Sequence, residues 1–254
     1  MLNNTAIQQK PALIVELVGL AGTGKTTLAR ALSQRDDRIC VSADLALRKK
    51  KHIPIFIRTI PSLWPLLLGR DRSSRWFTWD EIKAMVYLKG WPRVLRRQAL
   101  DNGTLVLLDH GPVFKLATLN AFGPERLKSQ GFERWWQAMF QQWAFTLDVL
   151  IWLDAPETIL VERINRRDQR HAVKGKSERE AYEYLTRYQK SYEQILAKLG
   201  AFGRPTLLQF DTGQTSIERI VDEVLVTCLS SPDRLPTKIQ TNAPTNSNFS
   251  ATQV

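Results

Sequence analysis

Residues 19–26 read Gly-Leu-Ala-Gly-Thr-Gly-Lys-Thr, a complete match to the phosphate-binding pattern G-x-x-x-x-G-K-S/T. An apolar run at residues 13–18 precedes this loop, and apolar residues at helical spacing follow it, namely Leu28, Ala29 and Leu32. The motif therefore lies between a predicted strand and a predicted helix, as phosphate binding requires. Its glycines let backbone N–H groups point inward toward a pyrophosphate. This stretch predicts a protein that binds a nucleoside triphosphate.

The individual loop residues predict ATP and Mg²⁺ as the cofactors. Lys25 would place a cation on the outer phosphates, and the Thr26 hydroxyl would ligate Mg²⁺. The predicted nucleotide-binding residues are Gly19, Gly22, Thr23, Gly24, Lys25, Thr26 and Thr27.

Length and composition fit one domain with appendages. The chain has 254 residues, of which 43% are hydrophobic, enough to bury an α/β core. The two cysteines, Cys40 and Cys228, have no metal-type spacing and argue against a disulfide scaffold. No apolar run reaches the roughly twenty residues that a membrane-spanning helix needs. We therefore expect a cytoplasmic protein.

Positive charge is concentrated in two segments. The net charge is +11, and residues 48–100 carry 13 Lys and Arg against 3 Asp and Glu. A second basic segment covers residues 162–179. Such charge suits an anionic partner, which includes the nucleotide, a phosphorylated substrate, nucleic acid or an acidic membrane surface. A merely solvated basic face is also consistent with it.

The order of elements predicts the fold class. Apolar strand-type runs alternate with helical patterns from residue 12 to residue 229, which predicts an α/β domain. We expect a parallel sheet of about five strands with helices on both faces. Residues 1–11 are predicted to be a flexible arm, and residues 230–254, rich in Ser, Thr, Asn and Pro, a disordered tail.

Prolines set the expected helix boundaries in the basic region. Pro54, Pro61 and Pro65 predict that residues 53–68 do not form a long regular helix. Thr78 and Glu81 form a capping box that should start a helix, and Trp91-Pro92 should break it.

Acidic residues at the predicted strand ends are the candidates for catalysis, because ligands of such sheets bind beyond the carboxyl ends of the strands. Asp109 follows four apolar residues and is expected to hold Mg²⁺, directly or through water. Asp44 is the preferred general base, and its alternative role is a helix N-cap. Asp154 precedes Ala155-Pro156 and suits a cap better than a second metal ligand.

Several motifs in order carry a resemblance to a known family. They are Gly22-Thr23-Gly24-Lys25-Thr26-Thr27, Asp109, Leu153-Asp154-Ala155-Pro156, the arginine-rich stretch 163–170 and Asp211-Thr212-Gly213. Over about residues 12–228 the chain resembles the P-loop kinases of nucleotides and nucleosides, such as thymidylate and deoxynucleoside kinases. Only the phosphate loop is specific. Asp109-His110-Gly111 differs from the Asp-Arg-Tyr or Glu-Arg-Ser of those families, and Asp44 stands where they have Glu-Pro.

The resemblance implies a lid, and the basic segment at residues 44–100 predicts an acceptor region. Residues 162–179 would form an arginine-rich lid over the phosphates, in which Arg163 and Arg167 would stabilise the transferring phosphoryl group. Residues 44–100 would form a basic acceptor-binding insertion, with Arg93, Arg96 and Arg97 available to hold an existing phosphate. The predicted catalytic residues are Lys25, Asp44, Asp109, Arg163 and Arg167.

The resulting expectation is a phosphotransferase that moves the γ-phosphoryl group of ATP to a small nucleoside-like or anionic acceptor. A nucleic-acid end kinase is the first alternative, because aromatic residues interleave with the basic ones in the segment 44–100. A nucleotide-driven switch or membrane-associated regulator is the second, with residues 53–68 as an anchor. The prolines argue against that anchor. The sequence leaves the acceptor and the oligomeric state open.

Overall fold

The structure is a computed structural model that describes residues 13–42, 50–68, 74–102, 105–166 and 173–229. The predicted arm at residues 1–11 and the predicted tail at residues 230–254 lie outside the described residues. Asp44 and Arg167 also lie outside them.

Five parallel strands form one sheet. They are β1 (Ile14–Val18), β2 (Ile39–Ser42), β3 (Leu105–Asp109), β4 (Val149–Asp154) and β5 (Thr206–Asp211), in the spatial order β2-β3-β1-β4-β5. β1 is buried along its whole length between β3 and β4. Its near-continuous apolar sequence follows from cover on both faces of a parallel sheet. The predicted α/β fold with five parallel strands is confirmed.

Eight α-helices accompany these strands in the described part of the chain. They are α1 (Lys25–Arg35), α2 (Ile53–Leu68), α3 (Trp79–Asn102), α4 (Pro112–Phe122), α5 (Gln130–Ala144), α6 (Glu157–Asn165), α7 (Glu178–Gly200) and α8 (Ile217–Leu229). Short 3₁₀ turns occur at Lys50–His52 and Glu125–Lys128. α1 and α8 contribute to the core on one face of the sheet, and α3, α4, α5 and α7 build the larger core on the other.

Two helices continue through prolines, so the predicted breaks are wrong. α2 has 16 residues with Pro61 and Pro65 inside it, and α3 has 24 residues with Pro92 inside it. A proline at position 92 cannot donate to the carbonyl of Leu88, one turn earlier. That carbonyl instead accepts from Gln142 Nε2 at 2.8 Å and from Trp143 Nε1 at 2.9 Å. Contacts with α5 therefore satisfy the group that the proline leaves free.

The direction of α3 decides which of its residues can reach the phosphate loop. The predicted capping box is confirmed at its start, where Thr78 N donates to Glu81 Oε2 at 2.7 Å and Glu81 N to Thr78 Oγ1 at 3.3 Å. The helix ends at Asn102, just before the amino end of β3. α3 therefore runs from the carboxyl edge of the sheet to its amino edge.

Across the described ranges, none of the helices combines the length and the apolar character needed to span a bilayer.

Candidate nucleotide and acceptor site

The phosphate loop joins β1 to α1 with the backbone that its glycines permit. Gly19 has φ +144°, and a Cβ there would lie 2.2 Å from the Leu153 carbonyl oxygen. Gly22 has φ +92°, and its Cβ would lie 3.0 Å from the Leu160 carbonyl oxygen. Larger residues at these two positions would both strain the backbone and collide with neighbouring main chain. The loop is therefore closely packed against the end of β4 and against α6.

The remaining loop residues take the places that the motif predicts. Gly24 is the N-cap of α1 and Lys25 is its first residue. The Lys25 ammonium donates to the carbonyls of Gly19 and Leu20, both at 2.7 Å, and the side chain is buried. Thr23 is buried with its hydroxyl on the Leu20 carbonyl, whereas Thr27 is exposed. An ammonium group in this position can donate hydrogen bonds to the phosphate oxygens of a nucleotide on the loop.

Thr26 and Asp109 come together at the carboxyl ends of β1 and β3. The Thr26 hydroxyl donates to Asp109 Oδ2 at 3.0 Å. Asp109 Oδ1 is buried, accepts no hydrogen bond from the described residues and lies 3.3 Å from His110 Nδ1. A hydroxyl and a carboxylate are the oxygen donors that Mg²⁺ prefers, and Mg²⁺ takes its other ligands from water and phosphates. The pair fits a Mg²⁺ ion, and Thr26 and Asp109 would hold it.

Glu16 is a site component that the sequence analysis missed. Its carboxyl, fully buried on β1, accepts from Val113 N at 3.0 Å and Phe114 N at 3.1 Å in the first turn of α4. Burial raises the pKa of Glu16 to about 8, although the two N–H groups oppose the rise. A Cβ on Gly111 would lie 2.7 Å from this carboxyl carbon. Glu16 thus fixes the turn between Asp109 and α4, and the signal was a lone acid in an apolar strand.

The acids at the ends of β4 and β5 accept hydrogen bonds from backbone N–H groups of the loops that follow them. Asp154 Oδ1 accepts from Ala155 N at 2.9 Å, and Asp211 Oδ1 accepts from Gly213 N at 2.7 Å. Burial raises the pKa of Asp154, and the charge of neighbouring Asp211 adds to the rise. Asp154 does not cap α6, whose N-cap is Pro156 and carries no side-chain cap, because its carboxylate bonds to the adjacent Ala155 N–H two residues before the helix.

Arg163 lies on the last turn of α6 and reaches the phosphate loop. Its Nη1 donates to Gly22 O at 3.3 Å and to Thr212 Oγ1 at 3.1 Å, and its Nη2 to Thr212 O at 3.0 Å. The guanidinium therefore ties the loop to the turn after β5. Arg166, by contrast, is exposed and pairs with Glu162 at 2.6 Å. Because Arg167 lies outside the described residues, its predicted partnership with Arg163 stays a prediction.

We expect Arg163→Gln to raise the Michaelis constant for ATP by about ten- to a hundredfold. The expected size follows from the loss of charge-assisted hydrogen bonds, typically about 1.5–3 kcal/mol. Initial rates at varied ATP concentration measure it, and Arg166→Gln is the matched control that should leave the constant unchanged. A lower maximal rate with an unchanged ATP constant would instead support the role in stabilising the transferring phosphoryl group.

A cavity opens between α3 and α4, beside the Asp109 turn. Its volume is ≈340 Å³, and it is lined by Thr78, Asp80, Glu81, Lys83, Ala84, Tyr87, Phe114, Lys115, Thr118 and Leu119. Tyr87 stacks on Trp91 and Trp143, with ring centroids 5.5 and 6.0 Å apart. Lys115 Nζ lies 4.6 Å from the centre of the Tyr87 ring. Aromatic walls with a few charged groups are typical of small-molecule sites.

The three arginines predicted to hold the acceptor are not at this cavity. Arg93 and Arg96 line a different cavity, between α2 and α3. Arg96 Nη2 lies 3.4 Å from Thr146 Oγ1, just before the amino end of β4. Arg97 follows on the same half of α3 and is exposed. The C-terminal half of α3 leads away from the phosphate loop, so these arginines occupy the opposite edge of the sheet.

The chain belongs to the AAA domain family, whose model matches residues 14–194. A comparison with curated proteins found no match. Among solved structures, a deoxyadenosine kinase from M. mycoides with the products dCMP and dCDP bound is 13% identical. The alignment covers 86% of this chain and 100% of that chain, with a TM-score of 0.51. Thymidylate kinase from Candida albicans is 18% identical over 84% of this chain and 89% of that chain, with a TM-score of 0.48.

These findings confirm the resemblance at the level of the fold. The chain has a P-loop domain with a five-stranded parallel sheet. It shares this nucleoside-kinase type of fold with the first of these structures.

Proposed function

We propose that the protein is an ATP- and Mg²⁺-dependent kinase that phosphorylates a nucleoside or nucleotide in the α3–α4 cavity. One observation carries the proposal. Asp109 accepts a hydrogen bond from Thr26 of the phosphate loop and begins a turn that leads into α4. Phe114 on α4 lines the cavity. An acceptor in that cavity would lie beside the outer phosphate of a nucleotide on the loop. The fold shared with a deoxyadenosine kinase supports a nucleoside-like acceptor.

Phosphoryl transfer requires that the reactants are positioned and that the phosphate charge is neutralised. Different residues of the described chain would meet these two requirements. Lys25 would bind the outer phosphates, and Thr26 and Asp109 would hold Mg²⁺, which neutralises phosphate charge when bound. Arg163 positions the loop against the turn after β5. Phe114 and the edge of Tyr87 would contact the acceptor base, and the cations that line the cavity are Lys115 and Lys83, of which Lys83 is paired with Asp80. Asp44 as the general base stays a prediction.

An acceptor screen tests the proposal. ADP formation would be measured with ATP, Mg²⁺ and a panel of nucleosides, nucleoside monophosphates and 5′-hydroxyl oligonucleotides. We expect ADP release that depends on a nucleoside or nucleotide, together with its phosphorylated product. ATP hydrolysis that no acceptor changes would favour the switch alternative and would contradict the kinase.

The end-kinase alternative has one observation in its favour. Trp76 and Trp79, near the start of α3 and the cavity, are 58% and 50% exposed and could stack on bases. If oligonucleotides were the acceptors, their affinity would fall with salt by about 0.7 logarithmic units per contact for each tenfold rise. If oligonucleotides were phosphorylated with that salt dependence, the acceptor would be a nucleic acid and not a small molecule.

We expect Ala84→Phe to raise the acceptor Michaelis constant at least tenfold and to leave the ATP constant unchanged. Ala84 lines the cavity on α3, so a phenyl ring there would fill space that the acceptor needs. Ala138→Phe, on the exposed face of α5, is the matched control for the added ring. If both variants keep the parental acceptor constant, the cavity is not the acceptor site.

A further inference from the structure

A second cavity lies between α2 and the C-terminal half of α3, at the amino edge of the sheet. Its volume is ≈650 Å³, within the range of ligand sites. Its described lining is Pro54, Ile55, Arg58, Thr59, Ser62, Lys89, Gly90, Pro92, Arg93, Val94, Arg96 and Gln142. Four of these residues are basic, and no carboxylate is found among them. We call this cavity the basic groove.

The four cations of the basic groove are weakly compensated. Lys89 Nζ donates to the Ser62 carbonyl at 3.2 Å, and Arg96 makes long contacts to Thr146 and to the Phe145 carbonyl. Arg58 and Arg93 form no ion pair with a carboxylate in the described ranges, where several other arginines do. Like charges gathered around one cavity raise its positive potential, and a bound anion would relieve that repulsion.

The basic groove is held by close helix packing. A Cβ on Gly90 would lie 2.6 Å from Ile55 Cγ2 and 2.9 Å from Thr59 Oγ1, so α2 and α3 nearly touch there. The Arg126 guanidinium donates to the carbonyls of Leu66 and Leu67 at the end of α2. The hydrogen bonds to the Leu88 carbonyl fix the middle of α3. Cations carried on fixed helices need little rearrangement to bind an anion.

We propose that the basic groove binds a small phosphorylated ligand that carries at least two negative charges. Guanidinium groups match phosphate oxygens in a bidentate geometry, and Lys89 adds a point charge. The cavity is large enough for a diphosphate or a phosphorylated metabolite. This site differs from the nucleotide site, because it faces the amino edge of the sheet and the phosphate loop faces the carboxyl edge.

Pyrophosphate binding followed by titration calorimetry tests the proposal. We expect two sites per chain in the parental protein and one in Lys25→Ala, which loses the phosphate-loop site. In the Lys25→Ala background, Arg58→Ser with Arg93→Ser should weaken the remaining site at least tenfold. The control removes the same charge with Arg30→Ser and Arg219→Ser, on the exposed faces of α1 and α8. Circular dichroism would verify that each variant is folded.

Two results would overturn the proposal: a single pyrophosphate site that Lys25→Ala abolishes, or equal weakening by the groove pair and by the control pair. A phosphate on a lipid headgroup would offer the same chemistry, so sedimentation with vesicles distinguishes the source. The ligand would be a lipid headgroup if the protein sediments with phosphatidylglycerol vesicles, if pyrophosphate displaces it from them, and if Arg58→Ser with Arg93→Ser abolishes the sedimentation. Two pyrophosphate sites without such sedimentation would assign a soluble ligand.

Discussion

Lys25→Ala is expected to reduce phosphoryl transfer by about 10²–10³-fold or more while the protein stays folded. The ammonium is held 2.7 Å from each of two loop carbonyls, where the outer phosphates of a nucleotide would meet it. A preorganised charge at a reacting group is typically worth that much in rate. The measurement is acceptor-dependent ADP formation, together with ATP affinity by calorimetry.

The control for this substitution is Lys190→Ala, which removes an exposed cation from α7 and should leave the rate unchanged. Thermal unfolding of both variants separates a lost charge from a lost fold. A folded Lys25→Ala protein that binds and turns over ATP at the parental level would remove the premise of the proposed function.

Asp109→Asn is expected to lower the rate by about a hundredfold and to shift its Mg²⁺ dependence to higher concentration. Asparagine keeps the size of the side chain and can still accept from the Thr26 hydroxyl, but it lacks the negative charge that attracts Mg²⁺. The measurement is the initial rate at saturating ATP over a range of free Mg²⁺ concentrations.

Asp154→Asn is the matched control, because Asp154 also ends a strand but bonds to the adjacent Ala155 N–H. We expect it to leave the Mg²⁺ dependence unchanged. If the two variants shift that dependence equally, or if neither shifts it, Asp109 does not hold the metal.

Local rules explain what the sequence could predict. The phosphate loop, the five strands and the capping box at Thr78 each depend on neighbours within a few residues, so pattern and spacing identify them. The pairing of Thr26 with Asp109 could be expected as well, because the carboxyl ends of adjacent parallel strands meet at one edge.

Long-range contacts explain what the sequence could not predict. Pro92 breaks a helix by local rules, and only the positions of Gln142 and Trp143 show how the Leu88 carbonyl that it leaves free is satisfied. Glu16 is a lone acid in an apolar strand, and its role could not be predicted because its partners are backbone N–H groups 97 and 98 residues away. The location of Arg96 could not be predicted for the same reason, since charge indicates an anion but not the edge of the sheet at which it binds.

The uninterrupted course of α3 has a thermodynamic consequence. Its first turns line the cavity at the carboxyl edge, its turns from Lys89 to Arg96 line the basic groove, and α5 fixes it between them at the Leu88 carbonyl. Residues of both cavities are thus carried on one continuous helix. A ligand in one cavity that displaces this helix would therefore change affinity in the other, and the coupling free energy would have the same size and sign in both directions.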